Sequence, residues 1–89
     1  HEAEPLMRRA LDIDEKSYGP DHPRVAIRLN NLATLLRDTG RLEQALPLMR
    51  RAVAILQASL PVGHPWVEGG RANLAAMERD ARGGGSQPD

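Results

Sequence analysis

The feature that most constrains this chain is its internal repetition. Pro5-Leu6-Met7-Arg8-Arg9-Ala10 recurs as Pro47-Leu48-Met49-Arg50-Arg51-Ala52, an offset of 42 residues. At the same offset His22-Pro23 recurs as His64-Pro65, Val25 as Val67, and Asn31-Leu32-Ala33 as Asn73-Leu74-Ala75. Several separate blocks that keep one offset describe a repeated structural unit. A period of this size belongs to solenoids and arrays, in which each unit buries its apolar face only by stacking on its neighbours.

Within one period lies a helix–turn–helix from Arg24 to Ser59. Val25, Leu29, Leu32 and Leu36 are spaced as one apolar stripe of an α-helix. Gly40 ends that helix. Leu42, Ala45, Met49, Ala52, Leu56 and Leu60 form the stripe of a second helix. So short a connection makes the two helices antiparallel and packed, and Ala33, Ala45 and Ala52 let their backbones approach closely. The fold class read from this pattern is all-α, with about four helices. A core with one Trp, one Tyr and no Phe must be built from Leu, Ala, Val, Ile and Met, which suits packed helices better than a sandwich or barrel.

The chain starts inside a repeat. Glu2 to Ser17 aligns with Gln44 to Ser59, so a half repeat over 2–18 precedes a full repeat over 23–60, and a second half repeat covers 65–81. Together they form one helical domain over 1–82, followed by a Gly/Ser tail over 83–89 that is expected to be flexible. Pro5 falls in a first helical turn, where its missing N–H costs nothing. Pro47 lies about a turn inside its helix and is expected to distort or delay the start. In the link Tyr18 to Pro23, Gly19 supplies a left-handed cap and Asp21 is expected to cap the next helix. The last helix, Pro65 to Ala81, contains Gly69 and Gly70. Its copy of the stripe reads Val67, Arg71, Leu74 and Glu78, so two core positions have become charged. A terminal repeat needs such a polar outer face, and the substitutions read as the end of the array. Trp66, in the place of Arg24, is expected to anchor this helix on the preceding one; the alternative is an exposed contact.

These residues resemble tetratricopeptide repeats, specifically the 42-residue variety of kinesin light chains and many bacterial repeat proteins. The resemblance rests on Gly19-Pro20-Asp21-His22-Pro23-Arg24-Val25-Ala26, Leu29-Asn30-Asn31-Leu32-Ala33-Thr34-Leu35-Leu36, Gly40-Arg41-Leu42-Glu43-Gln44-Ala45 and Ala52. It covers Glu2 to about Ala81. The Arg-rich composition, with Lys16 as the single lysine, suggests a bacterial source. The resemblance implies a right-handed superhelix of helix pairs with a concave groove for peptides or partner helices, lined by the first helix of each pair. In the family, the Asn of the Asn-Leu-Ala block often bonds the ligand backbone; carried over by position, this gives Asn31 and Asn73. Helical geometry places Ile27, Asn30, Thr34, Arg37 and Asp38 beside them on the lining face. An amide offers donors and an acceptor to a peptide backbone, and Arg37 can hold a carboxylate with two parallel bonds. The alternative is structural: Asn can bind the neighbouring helix and fix inter-repeat geometry, and Arg37 and Asp38 can be a solvated helix end.

Other function classes are disfavoured. The formal net charge is zero, which gives no basis for binding nucleic acid or an anionic membrane surface. There is no Cys, hence no disulfide frame and no thiolate metal site. No nucleophile–base arrangement, phosphate loop or metal-ligand cluster is present, so no enzyme activity, catalytic residue, metal or cofactor is expected. His22 and His64 occupy equivalent places before Pro, which argues for a shared turn contact. The Arg8-Arg9 and Arg50-Arg51 pairs are expected to face acids such as Glu4, Asp12 and Glu43. No apolar run reaches membrane-spanning length and no signal-peptide pattern opens the chain; the expected location is the cytoplasm. The chain opens at His1-Glu2-Ala3 and is read as a piece of a longer protein.

Two roles follow. The first is a protein-interaction scaffold whose groove takes a peptide or helix of a partner. The second is self-assembly, in which the last helix of one copy meets the first helix of another head-to-tail. The charges at Arg71 and Glu78 limit the second to weak association. The piece can also be the interaction arm of a larger signalling protein or enzyme. So few repeats bury little core, and a low melting temperature is expected.

Overall fold

The computed structural model describes residues 3–83. Four antiparallel helices follow in order: α1 (Ala3–Tyr18), α2 (Pro23–Asp38), α3 (Leu42–Ser59) and α4 (Pro65–Gly83). They form a slab of 46 × 34 × 16 Å in which each helix packs on its chain neighbours. The α2–α3 interface is the most extensive. The last helix extends two residues past the expected Ala81, and residues 84–89 of the expected tail lie outside the described residues.

Local chemistry sets the helix ends. The imidazole Nδ1 of His22 accepts the Arg24 N–H at 3.1 Å, and Pro23 takes the first helical position, where an N–H has no use. His64 does the same for Trp66 N–H at 3.0 Å. The two histidines thus share one structural task. The cap is His22 itself and not Asp21, because His22 is the residue with extended backbone (φ −79°, ψ 144°) directly before the helix. At the other end of α2, Gly40 has φ 81°. There the Arg41 N–H reaches Leu36 C=O at 2.8 Å and the Gly40 N–H reaches Arg37 C=O at 3.1 Å. This pair of bonds is the Schellman closure, which needs a left-handed residue that glycine adopts without a Cβ clash. Pro47 does not delay α3. The helix starts at Leu42 and runs through Pro47, whose ring is exposed to solvent.

The core follows the stripes. Val25, Leu29, Leu32 and Leu36 of α2 are fully buried, as are Ala45, Met49 and Ala52 of α3. Ala26, Ala33, Val53 and Ile55 complete it. In α4 the buried face differs from the expected one. Val67, Gly70 and Met77 are buried, Leu74 is half-buried and Arg71 is exposed. Glu78 turns outward to Arg50 at 3.6 Å. Among the described residues α4 has a packing neighbour on its α3 side alone, so it buries the flank that faces α3. The side of α4 turned away from α3 carries the exposed Glu68 and Arg71.

Ion pairs tie α1 to the rest. Arg28 Nε meets Asp14 Oδ2 at 2.7 Å, with Asp14 almost fully buried. Arg51 of α3 bonds Glu15 at 2.7 Å and the Pro20 carbonyl at 3.0 Å, which pins the first link. Arg8 faces Glu4 as expected, whereas Asp12 takes Lys16.

Arg41 gives no side-chain cap to α3. Its guanidinium instead bonds both Glu4 oxygens, at 2.6 and 3.2 Å. This bidentate bond holds the Glu4 carboxyl below its ordinary value; burial opposes the shift and Arg8 adds to it. The native state therefore binds fewer protons than the unfolded state near the carboxylate range. The stabilisation is fully present above the unfolded value of about 4.3 and is lost as pH falls through the depressed native value. Thermal melts of the protein and of Glu4→Gln should accordingly differ at pH 6, and the gap should shrink as pH falls through the carboxylate range. A gap that stays constant with pH would show that the carboxylate charge is not what holds α1.

Candidate functional site

Seven residues were expected to form one lining face: Ile27, Asn30, Asn31, Thr34, Arg37, Asp38 and Asn73. Helical geometry divides them. Residues seven apart lie nearly in line along a helix, and adjacent residues are turned by about 100°. Asn30 and Arg37 thus share the flank of α2 turned to α4, Asn31 and Asp38 share the other flank, and Ile27 and Thr34 lie between.

The first flank is engaged. Asn73 Nδ2 donates to Asn30 Oδ1 at 3.1 Å, and Arg37 Nη2 lies 2.7 Å from Asp80 Oδ2. These two contacts, one turn-pair apart, clasp the first helices of successive repeats. Asn73 therefore carries the inter-repeat task, and its partner is Asn30 rather than its repeat equivalent Asn31. In the assigned amide orientation the Asn30 NH₂ and the Asn73 carbonyl oxygen have no partner among the described residues. No buried polar side-chain atom among them is unsatisfied, so both groups reach solvent.

Between α2 and α4 lies a groove of about 410 Å³ lined by Ile27, Asn30, Pro65, Trp66, Gly69, Gly70 and Asn73. Trp66 is half exposed at its rim, edge-on to His64 with ring centroids 5.5 Å apart. It is a wall of the groove, which matches the alternative of an exposed contact rather than the anchor. Its ring lies outside because α4 turns Val67 and Gly70 toward α3. The two glycines have different roles. A Cβ built on Gly70 would sit 3.4 Å from Val53 Cγ2 and 3.5 Å from Leu56 Cδ1, so α4 approaches α3 closely there. A Cβ on Gly69 meets nothing within 4 Å and opens into the groove.

The second flank faces another cavity. Asn31, Thr34 and Asp38 line about 300 Å³ with Met7 of α1 and Leu35. Asn31 and Asp38 are exposed, and the Thr34 hydroxyl donates to Asn30 C=O at 2.9 Å inside its own helix. The α2 residues named for one lining face are thus divided between two cavities. Sequence reasoning missed the part of the groove made by Pro65, Trp66, Gly69 and Gly70. The available signal was a large apolar ring one turn before two glycines in a helix, which leaves an open side beside a wall.

Among the described residues no group of three possible metal ligands is present, and no helix is long and apolar enough to cross a membrane. Glu4, held by Arg41 and Arg8, lines neither cavity.

Comparison with known proteins places these helices in context. A family model described as tetratricopeptide repeat matches residues 1–58, which spans α1, α2 and all of α3 but its last residue. A search of curated proteins returns no match.

Proposed function

Because the chain belongs to the tetratricopeptide repeat family, whose repeats generally mediate protein–protein interaction, we propose that it is a non-enzymatic scaffold that holds a partner peptide in the α2–α4 groove. The observation that carries this reading is the Asn30–Asn73 pair. Its hydrogen bond leaves a free NH₂ on one amide and a free carbonyl on the other, side by side in the groove. One peptide unit of an extended ligand offers the matching C=O and N–H. Trp66 and Ile27 supply apolar walls for a ligand side chain, and the missing Cβ of Gly69 supplies its space. No cofactor, nucleic acid or membrane has a part in this reading. Head-to-tail self-assembly fits less well, because the open side of α4 carries the charges of Glu68 and Arg71.

Trp66 is the sole tryptophan, so its emission reports occupancy of the groove. In a screen of random dodecapeptides, binders should shift Trp66 emission. Asn30→Ala should weaken them by roughly 3- to 10-fold, the value of one hydrogen bond of about 0.5–1.5 kcal/mol. Gly69→Leu should abolish binding while the melting temperature holds or rises, since leucine is the better helix former and its Cβ meets no neighbour. Peptides that bind equally well to Gly69→Leu would place the site elsewhere.

A further inference from the structure

We infer that His64 is a proton switch on the α2–α4 groove: its neutral imidazole holds the Trp66 wall in place, and protonation releases that wall. The consequence for a ligand rests on the peptide-binding reading above; the switch itself does not. Pro65 and Trp66, the first two residues of α4, form one side of the groove. The Trp66 N–H donates to Nδ1 of His64 at 3.0 Å. The same imidazole stands edge-on to the indole, with centroids 5.5 Å apart and planes at 68°. One side chain thus meets both the backbone and the ring of Trp66. Nδ1 accepts a hydrogen bond only while the imidazole is neutral, because both nitrogens of the imidazolium are donors. Protonation therefore sets two donors against each other. It also puts a positive charge at the N-terminus of α4, where the open N–H groups already carry one. Histidine changes charge between pH 5 and 8. The cap is present at neutral pH and is lost as pH falls through that range.

The surroundings leave this effect uncompensated. Residues 53–59 of α3 and 60–63 of the link contain no ionisable side chain. Helix α2 turns Ile27 and Asn30 to this end of α4. The charged residues of its first two turns are held elsewhere, Arg24 over the Tyr18 ring and Arg28 on Asp14. On α4 itself, Glu68 lines a separate cavity together with Arg71, a charge of opposite sign, outside the groove. His22 is the internal control. It makes the same cap, to the Arg24 N–H at 3.1 Å, but its ring lies against Tyr18 with centroids 4.9 Å apart. Its charged neighbours are Asp21, Arg24 and the Arg51–Glu15 pair that holds Pro20. None of these residues lines the groove, so titration of His22 leaves the Trp66 wall untouched.

The test takes the isotope-labelled full chain from pH 7.5 to 5, first without ligand. The hydrogen-exchange protection factor of the Trp66 amide should fall about 5- to 10-fold, the worth of a cap, with the midpoint of the His64 ring signals. His64→Asn keeps an acceptor that does not titrate, since Asn is among the best N-caps; its Trp66 protection should stay flat. His22→Asn should leave the fall intact. A histidine-free labelled peptide that binds the chain but not Gly69→Leu at pH 7.5 is then followed by anisotropy. Its affinity should fall about 5- to 10-fold at pH 5 for the chain and for His22→Asn, and less than twofold for His64→Asn. Flat protection in the unaltered chain, or a fall that persists in His64→Asn, would overturn the switch. Protection that falls while peptide affinity holds would overturn its control of the groove. If no peptide answers to Gly69→Leu, the groove reading fails, and the ligand-free protection profile still decides the switch.

Discussion

Ile55→Ala should lower stability by about 2–5 kcal/mol, and Ile13→Ala by no more than about 0.5 kcal/mol. The two residues are one repeat apart and occupy the same place in the same motif. Truncating Ile55, which belongs to the α2–α3 core, removes transfer free energy and leaves a cavity that the packed helices only partly close. For a domain of this size that corresponds to a fall in melting temperature on the order of 10–30 °C. Truncating Ile13 changes a side chain already in water, and alanine's higher helix propensity offsets part of any loss. Thermal melts by circular dichroism at two protein concentrations measure both. Equal losses at the two sites would mean that the α1 stripe is covered in solution. A loss at Ile13 that grows with concentration would identify a second copy as the cover.

This contrast also marks how much of the fold the sequence carries. The helices α2 and α3 were legible because their stripes are complete and both ends carry local signals: His-Pro at the start of one, and Gly40 between the two. The repeat offset located α1 and α4 but misled about which residues α4 buries. Transferring the α2 stripe to α4 by offset marks Arg71 and Glu78 as core positions. The structure buries Gly70 and Met77 instead, one residue away in each case. Repeat equivalence preserves a helix and its position, whereas burial depends on which neighbours are present. The same logic separates Ile13 from Ile55. It also explains why the lining face was only partly legible. Asn30, Asn31, Arg37 and Asp38 could all be placed on one side of α2, but only the presence of α4 decides that Asn30 and Arg37 are clasped. The cap at His22 was missed for a different reason: a polar residue two before the proline is as plausible from residue type as the histidine beside it, and backbone conformation alone decides between them.

The second large effect should come from Gly70→Leu. In the first inter-repeat junction the equivalent position is Arg28, whose side chain crosses the interface to the buried Asp14 of α1. In the second, Asp14 is replaced by Leu56, and at that position the junction closes by contact over a glycine. A leucine there drives its side chain toward Val53 and Leu56, which already lie 3.4 and 3.5 Å from the Cβ position. The overpacking should cost about 1–3 kcal/mol, concentrated in α4 because that helix is held on one side only. Gly70→Ala places just the Cβ, at ordinary contact distance, and gains roughly 1 kcal/mol of helix propensity; it should be neutral or stabilising. Hydrogen exchange resolves the two. Gly70→Leu should lose protection through Pro65–Gly83 first, while the amides of α2 and α3 keep theirs. The Asn30–Asn73 bond and the Arg37–Asp80 pair depend on α4 staying docked, so the groove should be lost with it. Destabilisation spread evenly over all four helices would instead mean that α4 and the α2–α3 core unfold as one unit, and that the clasp contributes to the cooperativity of the whole chain.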